Sequence, residues 1–164
     1  MKLKNYLLSI FTIILPIILL NNPVFSDFEQ YKPANLDQII EITDDYYKQY
    51  GQKGFTTRLD ALKLTIQIQN IPIEITEGEK NIVKWFFHTT PAMDKKYIPF
   101  YTHEMHYIYK NKKFCFIFQK ELIEPLKSEN KIGSKIEIYA IFGLFNSFNQ
   151  EHMLLVNSFT SLKN

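Results

Sequence analysis

Leu62-Lys63-Leu64-Thr65-Ile66-Gln67-Ile68-Gln69 alternates apolar and polar residues without a break, the mark of a strand with one face in a core and the other toward water. After Asn70 the apolar set moves to Ile71, Ile73 and Ile75, so the chain changes faces there through a bulge or a sharp bend. Pro72 bars the second half from a central ladder position. Long strands bent in the middle are how small barrels turn corners.

Beyond residue 101 the chain reads as β throughout, and the segment between is less uniform. Thr76-Glu77-Gly78-Glu79 has two readings, a capping box that opens a helix through His88 or a turn into a strand over Asn81–Thr90. The β-branched and aromatic run Ile82, Val83, Trp85, Phe86, Phe87, Thr89, Thr90 favours the strand. Residues 89–101, with Pro91 and Pro99, form a long irregular connection. Met105–Tyr109 and Phe114–Glu121 flank the polar turn 110–113 as a hairpin, and a polar connection over 128–133 follows Pro125. Ile136, Ile138, Ala140 and Phe142 alternate, Gly143 interrupts, a loop spans 145–151, and His152–Phe159 closes as a last strand.

Before the first strand, Asn35 with Gln38 forms a capping box ahead of Leu36, Ile39, Ile40, Thr43, Tyr47 and Tyr50, with Gly51 as the stop. This predicts an amphipathic helix over 36–50. The expected fold is therefore mainly β (α+β), a small barrel or sandwich of about six strands preceded by one helix, with an oligonucleotide/oligosaccharide-binding type of barrel as one option.

The first 26 residues read as a signal peptide. Lys2 and Lys4 precede an uncharged run from Tyr6 to Leu20, Pro23 breaks it, and Val24 and Ser26 stand at the small-residue positions before Asp27. Fifteen uncharged residues are fewer than the roughly 20 that span a bilayer as a helix. The expectation is one exported β-rich domain over 27–164, periplasmic or secreted, with no stable membrane anchor after cleavage. The lone Cys115 is not at the mature N-terminus, which excludes a lipoprotein, and no Asn-x-Ser/Thr acceptor is present, which favours a bacterial source.

Without Lys2 and Lys4 the remainder carries 17 residues of each sign, and only Arg58 is an arginine. Such a balance argues against nucleic acid as a partner, because phosphate binding needs clustered cations. A single cysteine also excludes an internal disulfide, so stability must come from burial of an aromatic-rich interior.

His103-Glu104-Met105-His106 is the one local cluster of metal-ligand types. The histidines are three apart rather than four, and on a strand they would point to opposite faces. His88 or His152 could supply a further ligand from a distance, but the sequence gives no reason to join them to this pair. Cys115, within Phe114-Cys115-Phe116-Ile117-Phe118, reads as an inert buried thiol. Asp44 and Asp45 diverge on a helix and read as a solvated face. There is no Gly-x-Ser-x-Gly elbow and no phosphate loop.

Aromatic side chains are the remaining signal. Phe145 and Phe148 sit in an expected loop, and Tyr97 and Tyr101 line the long connection, where rings can stack on a ligand or dock a partner. The expected function is a non-enzymatic exported binding or interaction module that uses Phe145, Phe148, Tyr97 and Tyr101 to hold a protein or small molecule, without a cofactor. The alternatives are a metal-dependent or histidine-assisted hydrolase centred on His103, Glu104 and His106, and a structural subunit of an envelope assembly.

Overall fold

The structure is a computed structural model that describes residues 28–51, 55–147 and 150–162. The proposed signal segment and Phe148 lie outside the described residues. Two compact units are distinguished, Met1–Gln30, of which Phe28–Gln30 forms a 3-10 turn, and Tyr31–Asn164, which carries everything below. No helix among the described residues is long and apolar enough to cross a membrane.

Seven strands form one mixed sheet: β1 (Lys32–Ala34), β2 (Phe55–Gln67), β3 (Ile73–Glu74), β4 (Tyr101–Tyr109), β5 (Lys112–Gln119), β6 (Lys135–Asn146) and β7 (Glu151–Ser161). Their spatial order is β1-β2-β6-β7-β5-β4-β3. The fold is mixed α/β and the sheet is open, with β1 and β3 at its edges, which corrects the expected closed barrel or sandwich. The parallel pairs β1/β2 and β5/β7 are the reason: each needs a crossover, and helices α1 (Leu36–Tyr50) and α3 (Ile123–Glu129) lie along those paths.

The bend at Asn70 does occur. The chain leaves β2 and runs antiparallel along β4, where Gln69 pairs through its side-chain amide with both the N–H and the C=O of Ile108 (3.0 Å each), Asn70 Nδ2 donates to the His106 carbonyl (2.6 Å), and β3 pairs with His103 and Glu104. Side-chain amides thus satisfy a strand edge that a barrel would have paired with backbone.

Helix α1 matches its sequence signature. Asn35 Oδ1 accepts from Gln38 N–H and Gln38 Oε1 accepts from Asn35 N–H, while Gly51 at φ +68° ends it in a conformation suited to glycine. Leu36 and Ile39 of α1 and Ile123 and Leu126 of α3 join the core on one face of the sheet, against Phe114, Phe116 and Phe118 of β5 and Leu154 and Val156 of β7. Pro125 is tolerated because it sits in the first turn of α3.

The segment read as a strand over 81–90 is instead helix α2 (Glu77–Thr89). Thr76 and Glu79 do form the capping box, and the aromatic run supplies a helical stripe of Val83, Phe86 and Phe87, all buried. Burial of one helical face outweighs the β preference of the individual residues.

Helix α2 covers the opposite face of the sheet from α1 and α3, where Phe86 lies against Gly143. A Cβ on Gly143 would fall 2.8 Å from Phe86 Cζ, and the ring, itself 1% exposed, has nowhere to turn. Gly143→Ala is expected to destabilise the fold by about 1–3 kcal/mol through overpacking. A urea-midpoint shift worth less than about 0.5 kcal/mol, the range of an innocuous surface change, would contradict this contact.

Candidate functional site

Residues two apart on a strand share a face, so β4 presents Glu104 and His106 side by side beneath α2. The turn that follows is tight. Lys110 and Asn111 both adopt positive φ (48° and 62°), the geometry that matches hairpin twist, and it sets Cys115 of β5 directly opposite His106. Facing residues of an antiparallel pair have Cβ atoms about 5 Å apart, so imidazole, carboxyl and thiol converge.

The donor atoms of Glu104, His106 and Cys115 all lie within 4.8 Å of one another. Glu104 Oε1 is 3.3 Å from His106 Nε2, and the Cys115 thiol donates to Glu104 Oε2 at 3.4 Å. On its far side the ring offers Nδ1 to Glu151 Oε1 at 3.8 Å. Glu104 is 2% exposed and Cys115 is buried, whereas the His106 ring is half exposed, so the cluster opens to water along one edge.

Glu79, the third residue of α2, adds a second carboxylate. Its Oε2 accepts from the N–H and the hydroxyl of Thr76 (2.6 Å each), which hold it in the helix cap on the Glu104 side of α2. Burial raises the pKa of the Glu104 carboxyl to about 7, with the neighbouring Glu79 carboxylate reinforcing the shift. Burial works the same way on Glu79 but is outweighed by the bonds from Thr76 and Glu104, which hold it below the ordinary carboxylate range. The Cys115 thiol is pushed well above its usual value, first by burial and then by the Glu104 carboxyl, so it is a poor nucleophile without a cation beside it.

This set of thiol, imidazole and carboxylate suits a borderline-soft divalent cation. Of the ligands proposed from sequence, Glu104 and His106 are brought together and His103 is not. His103 faces away, its Nδ1 on Thr102 Oγ1 at 2.9 Å, among the charges of Glu74, Lys120, Glu124 and Lys127. His88 is exposed on α2. His152 lies on the α1 side of the sheet, where the Thr43 hydroxyl donates to Nε2 (2.8 Å) and Nδ1–H donates to the Lys113 carbonyl (3.0 Å).

Of the aromatic set proposed for binding, the three described members, Phe145, Tyr97 and Tyr101, are buried. Phe145 belongs to β6 rather than to a loop. The register shift between Phe142 and Leu144 turns it back to the core face, where it is buried with its ring 5.0 Å from that of His152. Tyr97 and Tyr101 are buried as well, with the Tyr101 hydroxyl donating to Asn157 Oδ1.

Sequence reasoning took Cys115 for an inert buried thiol and passed over Glu79. Alternation in 114–118 already set Cys115 opposite the phenylalanines, but only a two-residue turn, in place of the four-residue turn assumed, pairs it with His106. Glu79 reaches the site only because residues 77–89 are helical. No family model matches this chain, and no curated protein or solved structure matches it.

Proposed function

We propose that this protein is an exported, non-enzymatic binding module whose ligand is a divalent transition-metal cation of the zinc class, held by Glu104, His106 and Cys115. The observation that carries the reading is the convergence of three different donor types within 4.8 Å under α2. Export rests on the charge, length and small-residue pattern of the first 26 residues. Ligation also gives the unpaired thiol a stable state in an oxidising compartment, where free cysteine is at risk. A binding role is favoured over hydrolysis because burial holds the Cys115 thiol well above its usual pKa, which makes it a poor nucleophile, and because His103, needed for the hydrolytic trio, lies elsewhere.

The test is zinc titration of the demetallated full chain by calorimetry, with native mass spectrometry for stoichiometry. One ion per chain is expected. Cys115→Ser should weaken binding by roughly 100-fold or more, beyond the loss usual for an outer partner of a metal site, and His103→Ala should leave affinity unchanged. Failure of the wild type to retain a stoichiometric ion, or equal affinity in Cys115→Ser, would overturn the assignment.

A further inference from the structure

We infer that Glu151 of β7 is a positioning residue of this site, holding the His106 ring by Nδ1 so that Nε2 meets the ion. The inference rests on the metal-binding reading above and adds to it the group that orients the imidazole.

Glu104 and Cys115 are buried, but the His106 ring is half exposed, so packing alone does not fix which nitrogen faces the cluster. A metal-bound imidazole is generally oriented by a partner on its other nitrogen. Here Glu104 Oε1 lies 3.3 Å from Nε2 and Glu151 Oε1 lies 3.8 Å from Nδ1, so the ring stands between two carboxyl groups, one at each nitrogen. About 1 Å of side-chain movement brings the Nδ1 contact to hydrogen-bond length. Glu151 is not itself a ligand. The donor cluster among the described residues is Glu104, His106 and Cys115, and Glu151 approaches the nitrogen on the far side of the ring.

The sheet sets this placement. Strand β5 lies between β4 and β7, so His106 and Glu151 are rooted about 10 Å apart, two strand spacings. His152, Leu154 and Val156 face the α1 side, which turns Glu151 to the opposite face, the one that carries Cys115. Parallel pairing puts Glu151 beside Lys113 and Met153 beside Cys115, so ring and carboxylate meet across β5 next to the thiol. Gln150, immediately before, holds φ +53°, a left-handed conformation uncommon outside glycine. Backbone strain of this kind persists where the surrounding structure enforces it, and here it delivers Glu151 as the first residue of β7.

Zinc titration and nitrogen-15 NMR of the histidine-labelled full chain, with cobalt(II) spectra in parallel, test the assignment. In the zinc-loaded wild type, His106 is expected to carry its proton on Nδ1 and the ion on Nε2. Glu151→Ala should bind zinc about 10–100-fold more weakly, with the Nδ1 proton exchanging faster with water. Glu151→Gln keeps an oxygen that accepts from Nδ1–H and should recover most of the lost affinity and the slow exchange. The thiolate-to-cobalt charge-transfer band and the visible bands should be the same in all three proteins, because no ligand is removed. Glu151→Ala with wild-type affinity and wild-type His106 signals, or a wild type with Nδ1 on the ion, would overturn the role of Glu151 while leaving the three-residue site standing. A changed visible spectrum in Glu151→Ala would overturn it too, by making Glu151 a ligand. A wild type that takes up neither zinc nor cobalt would remove the site and this inference together.

Discussion

Phe116→Ala is expected to lower the unfolding free energy by about 3–5 kcal/mol, the range for truncating a buried phenylalanine when the cavity only partly collapses. Phe116 is fully buried on β5, between the parallel neighbour β7 and the antiparallel neighbour β4. Its ring meets Tyr107 edge-on at 5.7 Å and stacks with Phe114 at 6.2 Å, on the face closed by α1 and α3. Sheet on one side and helices on the other leave little that can move into the void. Against a total stability of roughly 5–15 kcal/mol, a loss of this size brings the protein near its threshold. Urea unfolding should show a large fall in midpoint with an unchanged slope, and Ile108→Ala, at a 54% exposed position, should stay within about 0.5 kcal/mol of wild type. A loss below about 1 kcal/mol for Phe116→Ala, under the range for core truncation, would mean that this face is not packed as described.

Acid should destabilise the fold through His152. The ring is 1% exposed and stacked on Phe114 at 4.5 Å, and burial lowers its pKa to about 4, with the Lys113 carbonyl opposing the shift. In the unfolded chain the same group titrates near 6.5. Between these values the unfolded state holds a proton that the folded state lacks, so stability falls as pH drops from about 6.5 to about 4 and is untouched by this group above that window. The full effect is about 3 kcal/mol. Carboxylates titrate in the same range, so the measurement is the difference between wild type and His152→Leu in urea unfolding at neutral pH and near pH 4. Leucine cannot be protonated, and the Thr43 hydroxyl can turn to the Ile40 carbonyl at 2.9 Å. The variant should lose some stability at neutral pH and show a shallower acid slope. Identical slopes would show that His152 is protonated in the folded state without penalty.

The candidate site was half legible. Glu104 and His106 share a strand face by their spacing alone, and the same rule separates His103 from them. Cys115 depended on the length of the Lys110-Asn111 turn, since each change of one residue in register moves every partner. Glu79 depended on the nature of α2, where a local helix start competed with a run of β-preferring side chains. The reading of Phe145 as exposed failed on one residue, because the irregularity at Gly143 reverses which side chains face the core beyond it.

Local patterns settled what local physics controls. The capping box and helical spacing of 36–50, the alternation in β2 and β6, the bend at Asn70 and the hairpin of β4 and β5 all follow from interactions within a few residues, and all are present. Tertiary structure decided the rest. The open order of seven strands rests on parallel pairings between segments far apart in sequence, and the helical state of 77–89 on a stripe of Val83, Phe86 and Phe87 finding a sheet face to cover. The juxtaposition of Glu104, His106 and Cys115 needs the register of two strands at once, since burial rewards contacts in space without regard to their distance along the chain.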